Sequence, residues 1–186
     1  MYMWSIPEQY PNKHIGGYQY DIVSYFLFNR SIHVEKMNIH PVINYKADLN
    51  ILNKYDCLPN NSLIPVINER LKIFLEAHSN NNVEFYKVDI HANDGLLKDF
   101  YILNVITKLP LINLRNSICE YIPNTEKAIM GFKKVSFIKN PPGDFSIARC
   151  SEYLSYLMLS DELVVKMKKE KFKGVAYSKI TETSSS

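Results

Sequence analysis

The five histidines and three cysteines carry most of the capacity for acid–base, metal or nucleophilic chemistry in this 186-residue sequence. His33 and His40 lie seven residues apart, and His78 and His91 sit beside turns, so a metal site would need them to converge with Asp or Glu from elsewhere. They read instead as isolated polar histidines at the surface or at strand ends, and no metal is expected. Cys119 followed by Glu120, with a distant histidine, could be arranged as a thiol nucleophile, but nothing local would lower its pKa. Cys57, Cys119 and Cys150 form no C-x-x-C pair and leave an odd one over. That argues against a disulfide framework and structural zinc, and fits reduced cytoplasmic thiols. No G-x-G-x-x-G, G-x-x-x-x-G-K-[ST], G-x-S-x-G or H-E-x-x-H is present, and the six glycines are spread through turns. No catalytic residue and no cofactor is therefore expected.

Charge points the same way. The net charge of +3 is too small to argue for nucleic acid by itself. Lys166, Lys168, Lys169, Lys171 and Lys173 form the longest cluster. Lysines near a helix C-terminus complement the dipole, and Glu170 interrupts the run, so a solvated face is the better reading than a nucleic-acid surface. Arg149, in FSIARC, and Asp144 before it are the charged residues expected nearest the sheet, as an internal ion pair rather than as a catalytic acid and base.

These residues are positioned by a simple pattern. Ser155 to Ile180 reads as strand, capped helix and returning strand. Ser160 caps, Asp161 and Glu162 meet the positive end of the dipole, and Leu163 and Met167 share a face with Val164 beside them. Gly174 can take a left-handed conformation, and Val175 and Tyr177 restart an alternation. The same events occur 92 positions earlier, where Asn68 stands for Ser160, Leu71 for Leu163, Leu75 for Met167 and Phe85 for Tyr177. The expected class is α+β: a mainly antiparallel sheet with two capped helices in repeated strand–helix–strand units, each helix packing its leucine face on that sheet.

The remaining stretches are read from turn signals and alternation. Residues 1–17 carry Pro7, Pro11, Gly16 and Gly17 and predict an extended arm or irregular entry rather than a helix. Tyr18 to Phe28 predicts a strand, with a buried helix over Ile22 to Phe28 as the alternative. Ser31 to Val42 alternates weakly, with Ile32, Val34 and Val42 as inward positions, before a polar stretch from Asn44 to Asn53. Val83 to Val88 and Phe100 to Ile106 flank the Asn93-Asp94-Gly95 turn as an antiparallel pair. Leu111 to Ile122 is open between a short helix and a loop. Ile129 to Ile138 and Phe145 to Cys150 are strands separated by Asn140-Pro141-Pro142-Gly143, and Ser151-Glu152 turns the chain into Tyr153 to Leu159.

With 46% apolar and 22% charged residues, the chain sits near globular averages, and its length suits a single domain over 1–186 with a frayed tail at 181–186. The start has no basic and apolar leader, and no apolar run approaches 18 residues, so a cytoplasmic protein away from the membrane is expected. Thirteen tyrosines and nine phenylalanines against one tryptophan hint at a protein-binding surface.

The succession D-C-L-P at 56–59, N-E-R-L at 68–71, V-E-F-Y-K-V at 83–88, F-Y-I-L-N-V at 100–105, S-I-A-R at 146–149 and L-S-D-E-L…K-G-V-A-Y at 159–177 resembles the bacterial immunity-protein family Imm11, also known as DUF1629. The likeness covers residues 50–180 and leaves the N-terminal strands of 1–50 poorly matched. Asn68 stands where Ser is common before E-R-L, and S-I-A-R where an apolar-aromatic-Arg strand is usual. The resemblance implies a protein of polymorphic toxin systems that binds a cognate toxin, neutralises it by stoichiometric occlusion and is not an enzyme. Two other classes compete: a small hydrolase or transferase built on Cys119 or His91, and a nucleic-acid-binding module using the C-terminal lysine helix. Because the chain is net basic, an acidic toxin, or an interface carried by tyrosines, fits better than a strongly basic nuclease.

Overall fold

The computed structural model describes residues 1–34, 40–79, 82–125 and 128–180. In chain order they form β1 (Tyr2–Ser5), a 3-10 turn (Asn12–His14), β2 (Gly17–Tyr18), a second 3-10 turn (Tyr25–Phe28), β3 (Val42–Asn44), the one-turn helix α1 (Leu49–Leu52), β4 (Val66–Asn68) and α2 (Glu69–His78). β5 (Val83–Lys87), β6 (Asp89–Ala92), β7 (Gly95–Leu97), β8 (Phe100–Val105) and β9 (Lys108–Leu109) follow, then a third 3-10 turn (Leu114–Asn116). β10 (Ile118–Tyr121), β11 (Ile129–Lys134), β12 (Ile147–Cys150), β13 (Tyr153–Leu159), α3 (Asp161–Glu170) and β14 (Ala176–Lys179) complete the order. The expected frayed tail at 181–186 and the 35–39 portion of the Ser31 to Val42 alternation lie outside the described residues.

α2 and α3 begin at their caps. The Asn68 side-chain oxygen accepts from the Leu71 amide at 3.0 Å, and the Ser160 hydroxyl from the Leu163 amide at 3.1 Å, each satisfying a first-turn N–H that the helix cannot. Leu71, Leu75, Leu163, Val164 and Met167 are all buried. α3 closes on Lys171, at φ +55°, three residues before the glycine expected to close it. Gly174 serves the turn into β14 instead. Its φ is +85°, and a Cβ there would lie 1.9 Å from the Cys57 carbonyl oxygen.

The fold is α+β and mostly antiparallel, but the strands do not make one sheet. Four sheets run β14-β1-β13-β12-β9, β4-β8-β5, β2-β3-β6-β7 and β10-β11, with the β9–β12 and β3–β6 pairs parallel. β4 and β5, before and after α2, flank the antiparallel β8; β13 and β14, before and after α3, flank the antiparallel β1. The two helices thus belong to two sheets and share one core, where Leu71 and Leu75 meet Leu163, Val164 and Met167 with Ile67, Leu103, Leu157 and Leu159. The two-residue period of a strand explains how both sheets are buried on both faces. In β8, Phe100 and Ile102 face a second core around Ile43, Ile90 and Phe28, while Leu103 and Val105 face the helices. In β13, Leu157 and Leu159 face the helices and Met158 a third core with Ala148 and Cys150.

Several expectations fail for reasons of distance or parity. Residues 1–17 are not only an arm, because β1 inserts between β13 and β14. Tyr18 to Phe28 is no strand: after Tyr18 the chain leaves the sheet and makes a 3-10 turn that buries Phe28 alone. The inward parity near Val42 is odd-numbered, with Ile43, Tyr45 and Ala47 buried, while Ile32 is exposed. Leu111 to Ile122 holds a strand, β10, as well as the 3-10 turn. Val83–Lys87 and β8 pair as expected, with β6 and β7 inserted between them as a hairpin of another sheet.

Asp56 ties the ends of this scaffold together. Its carboxylate accepts from Arg70 Nε at 3.0 Å, from the Asn68 side chain at 3.1 Å and from the Lys173 amide at 2.8 Å. The Asp56 and Cys57 amides both donate to the Lys173 carbonyl, and Arg70 reaches the Glu170 carbonyl while lying 4.3 Å over the Phe172 ring. The carboxylate is compensated on every side, as its burial requires.

Candidate partner-binding site

The loop from Pro59 to Pro65 is folded by one buried asparagine. The Asn60 amide donates to the Ile64 carbonyl at 2.7 Å, and its oxygen accepts from the Ser62 amide at 3.1 Å. Closing the loop this way places Leu63 at φ +54° and leaves it 64% exposed. A leucine rarely holds that backbone conformation, at a cost of about 1–2 kcal/mol, and here it displays an apolar side chain to solvent.

Leu63 is the ridge between two concavities, both of which also include Tyr153 and Ser155. On one side is an apolar cavity of about 230 Å³ whose wall includes Trp4, Leu58, Pro65, Tyr156 and Arg149. On the other is a wider hollow of about 590 Å³ bounded by Tyr25, Phe26, Arg30, Asn29 and Ile129. Aromatic rings run along that side: Tyr20 meets Tyr25 edge-on at 5.6 Å, Tyr25 stacks on Phe26 at 4.3 Å, and Arg30 lies 5.7 Å over Phe26. Tyr20 and Phe26 are half exposed, and so are Ile118, Tyr121, Ile122 and Met130 on and beside the β10–β11 ribbon. The ribbon is held by Tyr153, which stacks edge-on against Phe132 at 5.6 Å and donates to the Met130 carbonyl at 2.9 Å. Rigid aromatics on a scaffold, with apolar area left in water, are the composition of a protein interface.

Arg149 lies beneath this surface and is about 1% exposed. Its expected ion pair with Asp144 does not form. Asp144 is exposed, and Arg149 donates instead to the Leu154 carbonyl at 2.7 Å, the Phe28 carbonyl at 3.3 Å and the Asn29 side-chain oxygen at 3.0 Å. Its Nε–H has no partner among the described residues. Burial alone pulls the guanidinium down to about 10, so it stays charged at neutral pH. Glu152, on the neighbouring turn, is turned to the Leu111 and Ile112 amides.

The other chemistry-bearing residues stay apart. His33 is exposed and 2.7 Å from Glu84, whose carboxylate also accepts from Tyr86 and Asn104. His40 and His91 are exposed, and His78 packs its ring 4.6 Å from Phe74. Among the described residues no three of His, Cys, Asp and Glu are grouped to hold a metal. Cys119 lies half-buried in β10, while burial pushes the Cys57 and Cys150 thiols up to about 12, far from a reactive thiolate. The lysines divide among separate tasks: Lys166 pairs with Glu162 at 2.7 Å, Lys168 lies over Tyr2, Lys171 ends α3 and the Lys173 backbone binds Asp56.

A family model described as an immunity protein family, Imm11, matches residues 19–182. The chain belongs to the Imm11 immunity proteins. Among curated proteins none matches it. The family points to an immunity function and, in general terms, to a toxin partner. The match begins at residue 19, so it takes in most of the N-terminal segment that the sequence motifs left out. Three of those motifs meet at one place in this Imm11 chain: D-C-L-P, N-E-R-L and K-G-V-A-Y supply Asp56, Asn68, Arg70, Lys173 and Gly174 to the tie around Asp56. These motifs therefore build scaffold at Asp56, and D-C-L-P, S-I-A-R and K-G-V-A-Y also supply Leu58, Arg149 and Gly174 to the wall of the cavity beside Leu63. No helix among the described residues is long and apolar enough to cross a membrane.

Sequence reasoning left the partner-binding residues open. Two signals were available: a run of Tyr18, Tyr20, Tyr25 and Phe26 too aromatic for its polar neighbours, and an arginine inside an otherwise apolar strand.

Proposed function

We propose that this protein is a single-domain cytoplasmic immunity protein that binds a cognate bacterial toxin and neutralises it by stoichiometric occlusion, without turnover, using the surface on either side of Leu63. The single observation that carries this is an exposed leucine held in a left-handed conformation between two aromatic-lined concavities. Backbone strain persists where the surrounding structure imposes it, and such positions cluster at binding sites. Tyrosine and phenylalanine anchors with Arg30 beside them suit binding through a few deeply buried side chains, more than through a broad charged field. The scaffold reading that accompanies this takes β4-α2-β5 around β8 and β13-α3-β14 around β1 as two copies of one arrangement.

The test is growth rescue, together with direct binding, using the product of the neighbouring gene as the candidate toxin. Leu63→Asp and the pair Tyr20→Ala, Phe26→Ala change exposed side chains and should leave the fold intact. Each is expected to weaken binding about 30-fold or more, the loss of a central interface anchor, and to abolish rescue. Full rescue and unchanged affinity in all of them would remove this surface from the interface. Rescue at substoichiometric amounts would replace occlusion with turnover.

A further inference from the structure

We propose that the cavity beside Leu63 is a carboxylate site: it receives an acidic side chain of the toxin, carried next to an apolar one. This rests on the toxin-binding reading above and adds the chemistry of the contact.

The observations converge on an unbalanced cation. Arg149 is buried, yet its three hydrogen-bond acceptors are neutral oxygens, and no ion pair to it is present among the described residues. Glu152, the carboxylate nearest in sequence, is held by two backbone amides, and Asp144 is in solvent. An internal cation without an anion is costly, and where this chain buries a charge for its scaffold, at Asp56, it supplies the counter-charge itself with Arg70. The same guanidinium keeps one N–H without an acceptor among the described residues, which is a second cost at a single residue. Both costs fall if an anion arrives from outside. The route is the 230 Å³ cavity, because Arg149 is part of its wall. Trp4, Leu58, Pro65 and Tyr156 make much of that wall apolar, with Ser5, Asn60 and Ser155 as polar members, which would seat an aliphatic or aromatic group beside the ion pair. A carboxylate matches the planar donors of arginine better than a cation or a neutral amide can. The partner class is then an acidic one, in keeping with a net-positive chain.

The experiment uses the full chain labelled with ¹⁵N. The Arg149 Nε–Hε resonance, assigned by its loss in Arg149→Lys, is followed during titration with acetyl-Phe-Glu-amide and, separately, acetyl-Phe-Gln-amide. The expected result is a saturable displacement of that resonance by the glutamate peptide, with at least about tenfold tighter binding than the glutamine peptide, and loss of the preference in Arg149→Lys. If Arg149→Lys does not fold, Ser155→Glu gives the same reading. Ser155 is exposed on the cavity wall, and a carboxylate there should lower affinity for the glutamate peptide about tenfold while sparing the glutamine peptide. Equal binding of the two peptides, shifts that bypass Arg149, or no binding up to about 10 mM overturns the carboxylate site. Failure of the two readings looks different. If the toxin still binds Arg149→Lys and Ser155→Glu at full strength, the carboxylate contact is wrong and the toxin reading stands. If the glutamate peptide binds as expected but the toxin does not bind the parent protein, the site is kept and the toxin as its occupant is overturned.

Discussion

Arg70 lies half exposed over the Phe172 ring, with the Asp56 carboxylate and the Glu170 carbonyl taking its donors, whereas Arg149 is buried and donates, among the described residues, to carbonyl and amide oxygens. The first has its anion built into the fold and joins three distant stretches of chain. The second has none among the described residues and borders a cavity. A charge that serves the scaffold is balanced from within, because removing it must leave a defect. A charge left unbalanced beside an opening is one whose balance comes from a partner.

The comparison can be broken most forcefully at the scaffold side. Gly174→Ala forces a Cβ into the Cys57 carbonyl at a φ that disfavours side chains, and is expected to cost about 4 kcal/mol in urea unfolding. A cost under about 1 kcal/mol would mean that the tie around Asp56 yields easily and is not the anchor described. Next in size, Asp56→Ala strands Arg70 and the Lys173 amide and should cost about 3 kcal/mol, while Arg149→Lys, which breaks no ion pair, should cost only about 1 kcal/mol. Equal losses for the two would erase the distinction.

The smallest effect lies at Glu84, a balanced charge like Asp56 but nearer the surface. Burial pushes its carboxyl up, and hydrogen bonds from Tyr86, His33 and Asn104 outweigh that and hold it below the ordinary value. A depressed carboxyl contributes stability above its unfolded pKa of about 4.3, and that contribution is lost as pH falls through the folded value. Melting temperature should therefore fall more steeply below about pH 4.3 in the parent than in Glu84→Gln. Parallel curves would show that the network adds nothing.

The caps at Asn68 and Ser160 were legible because a cap is local: one side chain, one amide three residues on, one apolar face. Gly174 was legible as a special backbone position for the same reason, although the carbonyl that demands glycine there, on Cys57, is more than a hundred residues away and could not be foreseen. Long-range placement defeated the reading elsewhere. Tyr2 to Ser5 looked like an arm since nothing nearby pairs with it, and Tyr18 to Phe28 satisfied strand propensity while lacking a neighbour to pair with. For the candidate site, Arg149 stood out in its strand, but an ion pair with nearby Asp144 was the natural guess. That its surroundings would be carbonyl oxygens depends on Phe28 and Asn29, brought in from the far side of the sequence.

β1 has a consequence for the order in which the molecule comes into being. Tyr2 pairs with both Leu159 and Lys179, so this segment, once it leaves the ribosome, waits for two that are made long after it. At ordinary rates of synthesis that wait is on the order of 10 s, during which the strand has neither neighbour. Contacts of such separation also slow folding after release, toward milliseconds to seconds. The cavity wall draws on Trp4 and on Tyr153, Tyr156 and Gly174, so no nascent fragment that stops short of Gly174 contains it. Whatever this surface captures, it can do so only once the whole sheet has closed.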